Sequence, residues 1–116
     1  MYTLYGIKTC DSVNKAIKWL NKHQVDYCFF DLKTNELPKN KLKKFIKFVG
    51  KDKILNKRSK TWKNLTNEIK QRLDNKQISN VEFINILLRY PLLIKRPIIE
   101  KNNFILVGYS EPYFKL

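Results

Sequence analysis

Tyr2-Thr3-Leu4-Tyr5-Gly6-Ile7-Lys8-Thr9-Cys10-Asp11-Ser12-Val13 decides the reading of this chain. Tyr2 to Tyr5 is a short aromatic and branched run that Gly6 ends, which predicts a strand. Beyond the polar segment Lys8 to Asp11, apolar side chains at Val13, Ala16, Ile17 and Leu20 recur at i, i+3, i+4 and i+7. That spacing is one face of a helix. Cys10 therefore sits in a strand-to-helix loop, at the start of the helix. Backbone N–H groups at a helix start favour an anion, so a thiol there tends towards thiolate. Lys8 and Lys15 add positive potential and Asp11 opposes it. Most lone cysteines are buried and inert, but a thiol flanked by Thr9 and Asp11 is not in an apolar setting.

The helix should stop near His23, because Val25 to Leu32 is rich in aromatic and branched residues and reads as a second strand. Asn35 to Pro38 is a loop, with Pro38 suited to the first turn of a helix. Leu42, Phe45, Ile46 and Val49 repeat the helical stripe, and Gly50 supplies a stop. Lys51 to Lys76 is polar and helical in tendency, with Trp62 and Leu65 as anchors. Ser79-Asn80-Val81-Glu82 matches a capping box, followed by Ile84, Leu87 and Leu88 on one face and ended by Pro91. Ile98-Ile99 and Phe104 to Val107, around Lys101-Asn102-Asn103, predict a β-hairpin. Ser110-Glu111-Pro112 would open a final helical turn.

A β-α-β unit demands parallel strands with a right-handed crossover, and the late hairpin adds antiparallel ones. The expected fold class is therefore α/β: a thioredoxin-like mixed β-sheet with flanking helices, carrying a helical insertion over roughly 38–90. At 116 residues the chain fits one domain, 1–116. Its 43% hydrophobic and 29% charged content is that of a soluble globular protein. No apolar run approaches a membrane span, and the first residues lack the pattern of a signal peptide, so a cytoplasmic location is expected.

The two cysteines are too few for a disulfide scaffold, and with His23 as the one histidine a closed metal site is not expected. The net charge of +14 invites a nucleic-acid reading. The excess is nearly all lysine, dispersed along the chain, and it accompanies many Asn and Ile, as AT-rich coding would produce. No dedicated nucleic-acid function is expected, only weak, salt-sensitive adhesion to polyanions. Cys28 falls within the second predicted strand and reads as a packed structural thiol. His23, at a helix end, would meet the terminal carbonyls. Trp62 reads as a core plug for the insertion, and Lys39 to Lys47 as the solvated face of a helix.

The run Tyr5-Gly6-Ile7-Lys8-Thr9-Cys10-Asp11-Ser12-Val13 resembles the active-site loop of the arsenate reductase-like family, which includes the ArsC, Spx and YffB branches. Four further stretches agree in order: Trp19-Leu20 with Val25-Asp26-Tyr27, Thr61 to Leu65, Leu93 to Ile99, and Val107-Gly108-Tyr109. The resemblance implies a nucleophile at Cys10, an anion-stabilising Arg96, a cis proline at Pro97, and substrate contacts from Lys8, Thr9 and Pro97. From the residues alone, Arg96 equally fits a surface position, and trans is the default for an X-Pro bond.

The departures from the family pattern matter as much. Val13 stands where a dithiol enzyme has its second cysteine, so no C-x-x-C relay exists. Arsenate-reducing members resemble one another in two further arginines, and Asn56 and Gly108 occupy those places here, with Arg58 close by in sequence. The resemblance thus implies the YffB-like branch and a monothiol oxidoreductase. It would bind no cofactor and, as a monomer, would use glutathione or another small thiol as co-substrate, with Cys10 attacking a sulfur, that of a protein disulfide included, or else an oxyanion such as arsenate. The alternative is an Spx-type non-enzymatic regulator that binds RNA polymerase.

Overall fold

Alternation of large side chains along Tyr2–Gly6 produces a strand, β1, that is buried on both faces over Leu4 and Tyr5. The computed structural model describes residues 1–110 and 114–116. The chain divides into two compact units, Met1–Asn35 with Lys95–Leu116, and Glu36–Ile94. The second spans the insertion expected over roughly 38–90.

In the first unit β1 leads into helix α1 (Asp11–Lys22) and returns as β2 (Tyr27–Asp31), parallel to β1 with Tyr2 opposite Tyr27 and Gly6 opposite Asp31. The hairpin of β3 (Ile98–Lys101) and β4 (Phe104–Val107) adds two antiparallel strands. β3 pairs with β1, with Leu4 opposite Ile99 and Tyr5 opposite Ile98, and the sheet order is β2-β1-β3-β4. This is the mixed thioredoxin-like sheet. The hairpin closes across Asn102-Asn103, and Asn102 takes a left-handed φ of 54°, a conformation that Asn tolerates better than most residues.

One sheet face packs on α1. Leu4, Val13, Ala16, Leu20, Ile99 and Phe114 form a buried cluster there. Each large aliphatic removed from water contributes about 1.5–3 kcal/mol. α1 ends in a Schellman motif, with Val25 N–H donating to Leu20 O (2.9 Å) and Gln24 N–H to Asn21 O (3.2 Å). Gln24 supplies the left-handed residue, at φ 55°. The opposite face of the sheet carries Thr3, Tyr5, Cys28, Phe30, Ile98 and Glu100. There Tyr5 Oη donates to the buried Glu100 carboxylate at 2.7 Å.

The second unit is helical: α2 (Lys39–Val49), α3 (Lys51–Ile54), α4 (Lys60–Asn64), α5 (Asn67–Asp74), α6 (Asn80–Arg89), then a 3-10 turn over Pro91–Leu93. Leu42, Phe45 and Ile46 of α2 and Phe83, Ile84 and Leu87 of α6 are buried, and α2 packs against α6. Pro38 lies one position earlier than expected, as the N-cap of α2, and Gly50 ends that helix at φ 89°. The polar stretch 51–76 resolves into three short helices. Ser59 and Thr66 cap two of them, accepting from Trp62 N–H and Ile69 N–H. The expected capping box forms by half: Ser79 accepts from Glu82 N–H at 3.1 Å, while the Glu82 carboxylate turns to the Arg72 guanidinium.

Trp62 corrects the sequence expectation. It is half-buried rather than a core plug, with the ammonium groups of Lys57 and Lys70 over its ring at 5.4 and 6.0 Å. α4 is one turn long and buries none of its residues, so the ring has no deep pocket to fill. Leu65 is buried as expected. The expected helical turn at Ser110-Glu111-Pro112 lies largely outside the described residues.

Candidate active site

Gly6 determines how the thiol loop is built. A Cβ at Gly6 would stand 2.6 Å from Val13 Cγ2 and 3.1 Å from Val13 Cγ1. Only glycine lets the end of β1 pass so close to the first turn of α1. The chain turns through Ile7, Lys8 and Thr9, and Cys10 N–H donates to Ile7 O at 3.3 Å. Cys10 is then the N-cap of α1, extended at φ −91° and ψ 123°, and no side chain caps the helix. Its carbonyl accepts from Asn14 N–H at 3.0 Å, and Asn14 Nδ2 donates back to Lys8 O at 3.2 Å. The Cys10 side chain is half-buried against the α1 cluster. The N–H groups of an uncapped first turn are oriented to receive negative charge.

The register brings the second part of the site alongside. Tyr5 pairs with Ile98, so Arg96 and Pro97, which enter β3, lie at the same end of the sheet as Gly6 and the thiol loop. The Arg96–Pro97 peptide bond is cis, against the default for X-Pro. Pro97 is buried, and its carbonyl accepts from Gly108 N–H at 2.7 Å. Gly108 sits at φ 82°, which favours glycine. Arg96 is half-buried with its Nε fully so, while Lys8 and Thr9 are exposed. Cys10, Lys8, Thr9, Arg96 and Pro97 therefore all belong to the first unit and gather at one sheet end.

Asn56 and Arg58 belong to the second unit. Asn56 N–H donates to Leu93 O at 2.8 Å, next to the Leu55–Ile94 bridge, and Asn56 Oδ1 accepts from Arg58 N–H. The Asn56 side chain thus shapes a turn, and Arg58 is exposed.

Cys28 requires a correction. It lies on β2 as expected, yet it is exposed and not packed. β2 is an edge strand, and the alternation that turns Tyr27 and Phe29 towards α1 turns Cys28 away. Its Sγ meets Met1 Sδ at 3.1 Å. Both cysteines are thiols. His23 behaves as expected of a helix end: Nδ1 lies 2.9 Å from Trp19 O, and the imidazole stacks on Trp19 at 3.9 Å. Among the described residues no group of three or more His, Cys, Asp and Glu is assembled to hold a metal ion. Nor is any helix among them long and apolar enough to cross a membrane.

Sequence reasoning missed three contributors. Asn14 ties the loop to the helix, and an amide four residues after the cysteine was its signal. Gly6 was read as a strand end and not as a point of close approach. The Tyr5–Glu100 pair joins residues 95 apart in sequence, which no local pattern reveals.

The chain is similar over nearly its whole length to known proteins. An uncharacterized protein of Haemophilus influenzae is 38% identical over 115 residues, covering 99% of this chain and 96% of that one. The global transcriptional regulator Spx of Streptococcus mutans is 32% identical, covering 96% of this chain and 78% of the regulator. Among solved structures, a YffB protein superposes with a TM-score of 0.82 at 32% identity, covering 95% of this chain and 92% of that one. A possible arsenate reductase from Streptococcus mutans has a TM-score of 0.82 at 28% identity, over 97% and 94% of the two chains. The ArsC family model matches residues 5–115. A match of that extent, together with a site built on the β1–α1 loop and the turn into β3, means that the chain belongs to the ArsC family.

Proposed function

We propose that this protein is a monothiol thiol–disulfide oxidoreductase that works with glutathione, with Cys10 as its nucleophile. The observation that carries the reading is Cys10 at the uncapped start of α1, at the same sheet end as Arg96 and Pro97. The Cys10 thiolate attacks one sulfur of a disulfide; that S–S bond breaks, and the other sulfur leaves with the electron pair and takes a proton from water. An external glutathione thiolate then attacks the mixed disulfide and releases Cys10. That attack lands on the substrate's sulfur and leaves it joined to glutathione; a second glutathione attacks this disulfide and frees the remaining substrate thiol, so that in total one substrate disulfide is reduced and two external thiols are oxidised to a disulfide. Arg96 and the N–H groups of α1 stabilise the negative charge on sulfur, while Lys8, Thr9 and the Pro97 backbone contact the substrate.

Val13 supplies no second thiol, so the mixed disulfide waits for an outside one. Arsenate is a poor substrate in this reading, because Asn56 and Gly108 add no cation to balance the oxyanion. The whole chain serves as one thioredoxin-like ArsC-type domain, a cytoplasmic monomer whose second unit is its helical insertion.

A regulator that binds RNA polymerase is the second reading. It is favoured by the likeness to Spx over 96% of this chain and opposed by Val13, which removes a two-thiol switch.

Incubation with oxidised glutathione followed by intact-protein mass spectrometry tests the first reading. One glutathionyl group should map to Cys10, persist until free thiol is added, and vanish in Cys10→Ser. A coupled assay with arsenate should show no turnover. No adduct at Cys10, beside capture of RNA polymerase from lysate, would put the regulator first.

A further inference from the structure

The positive charge is shared unequally between the two units. The second unit carries 15 Lys and Arg against 5 Asp and Glu, the first 9 against 5, so +10 of the +14 lies on residues 36–94. Within that unit α2 holds Lys39, Lys41, Lys43, Lys44 and Lys47 in 11 residues and no carboxylate. Lys39, Lys43 and Lys47 are all exposed. Spaced i, i+4, they stand in one row about 6 Å apart along the helix axis.

That row is unfavourable to the helix carrying it. Like charges at i, i+4 repel, and Lys39 places a cation at the positive end of the helix dipole. Lys47, in the last turn, meets the negative end of the dipole, but no carboxylate among the described residues relieves the repulsion along the row. Lys57 pairs with Asp74 and Arg72 with Glu82, whereas none of the three row lysines has a carboxylate partner among the described residues. The carboxylates nearest in sequence, Glu36 and Asp52, are exposed beyond the ends of α2. A local rule broken without an internal gain points to an external ligand.

The chemistry of the row narrows that ligand. A lipid surface would need an apolar stripe to insert, but Leu42, Phe45 and Ile46 are already buried in the unit. Of the helix's large apolar side chains only Phe48 is exposed, at 43%. An acidic peptide is best held by planar guanidinium forks, and α2 has no arginine. An evenly spaced line of compact point charges suits a ligand that repeats its negative charge evenly. A nucleic-acid strand presents one phosphate about every 3.4 Å along the duplex axis.

We propose that Lys39, Lys43 and Lys47 form a docking surface for the phosphate backbone of nucleic acid, held without reading its sequence. The surface lies in the second unit and does not depend on Cys10, so Cys10→Ser should bind as the unaltered protein does.

The test is fluorescence anisotropy of the full chain with a random-sequence DNA duplex between 50 and 200 mM salt. Releasing the counterions of three phosphates gives a slope of log K against log salt of about −2.7. Lys39→Gln/Lys43→Gln/Lys47→Gln should therefore lower the slope magnitude by about 2.7 relative to the unaltered protein, with circular dichroism verifying that α2 persists. A charge-matched variant in the first unit, Lys22→Gln/Lys33→Gln/Lys115→Gln, should change it by less than about 1. Equal losses in the two variants would mean attraction by net charge alone and overturn the proposal. So would a failure of the unaltered protein to bind the duplex. Phosphatidylglycerol vesicles bound as tightly as the duplex, through the same three lysines, would overturn it in favour of a lipid surface.

Discussion

Gly6→Ala is the most direct perturbation of the thiol loop. The added Cβ would lie 2.6 Å from Val13 Cγ2, 3.1 Å from Val13 Cγ1 and 3.3 Å from Leu4 Cδ2. Val13 is fully buried and β-branched, so its χ1 has little freedom. With both γ carbons crowded, the first turn of α1 must move away from β1. Overpacking of this kind costs about 1–3 kcal/mol. Val13→Ala alone loses two buried methyl-sized groups and leaves a small cavity, costing about 2 kcal/mol. In the double variant the new methyl occupies space that the γ carbons vacated. The double variant should then be no less stable than Val13→Ala, giving a coupling of about 1–3 kcal/mol. Urea unfolding of the four proteins measures this cycle. Additivity within about 0.5 kcal/mol would refute the contact as the reason for glycine. Because Val13 is three residues from Cys10, Gly6→Ala should also slow the reaction of Cys10 with oxidised glutathione, and Val13→Ala should restore it.

Iodoacetamide labelling with peptide mapping should modify both thiols, since Cys28 is exposed, but glutathionylation should persist at Cys10 in Cys28→Ser and disappear in Cys10→Ser. Arg96→Ala should slow adduct formation at Cys10 by about tenfold, the equivalent of ~1.4 kcal/mol of lost charge stabilisation, and Arg96→Lys should recover part of it; stopped-flow mixing with oxidised glutathione reads both rates. Burial, then the hydrogen bond to Glu100 and its charge, push the Tyr5 phenol above its ordinary value of 10.0. The folded state therefore holds that proton more tightly than the unfolded chain, and stability should fall as pH rises above about 10. Tyr5→Phe should flatten that alkaline loss while costing about 1–3 kcal/mol at neutral pH, because the buried Glu100 loses a donor; urea unfolding across the pH range checks both. Ser79→Ala should destabilise by about 1 kcal/mol through the lost cap of α6, measured by thermal unfolding.

Much of the fold was legible because its signals are local. The stripes at Val13, Ala16 and Leu20 and at Leu42, Phe45 and Ile46 become the buried faces of α1 and α2. Residues 51–76 were opaque for an equally local reason. Helices of one or two turns show too few apolar repeats to establish a period, and their real signals are the single hydroxyl caps at Ser59 and Thr66. Cys28 was misjudged because an alternating run shows that two faces exist without showing which one α1 covers. That depends on the edge position of β2 in the sheet.

For the candidate site, the sequence alone determined that Cys10 starts a helix after a strand and that no second thiol stands at Val13. Both are matters of periodicity and residue identity within a dozen positions. The tertiary structure decided the rest. The partner of the thiol loop lies 86 residues further along the chain, at Arg96, and reaches the same sheet end only through the antiparallel register of Tyr5 with Ile98. The Tyr5–Glu100 hydrogen bond was decided in the same way, whereas the cis bond at Pro97 is the one the family resemblance implied. Strand pairing joins distant segments through backbone hydrogen bonds that any residue can make, so the sequence carries the faces of each strand but not its neighbour.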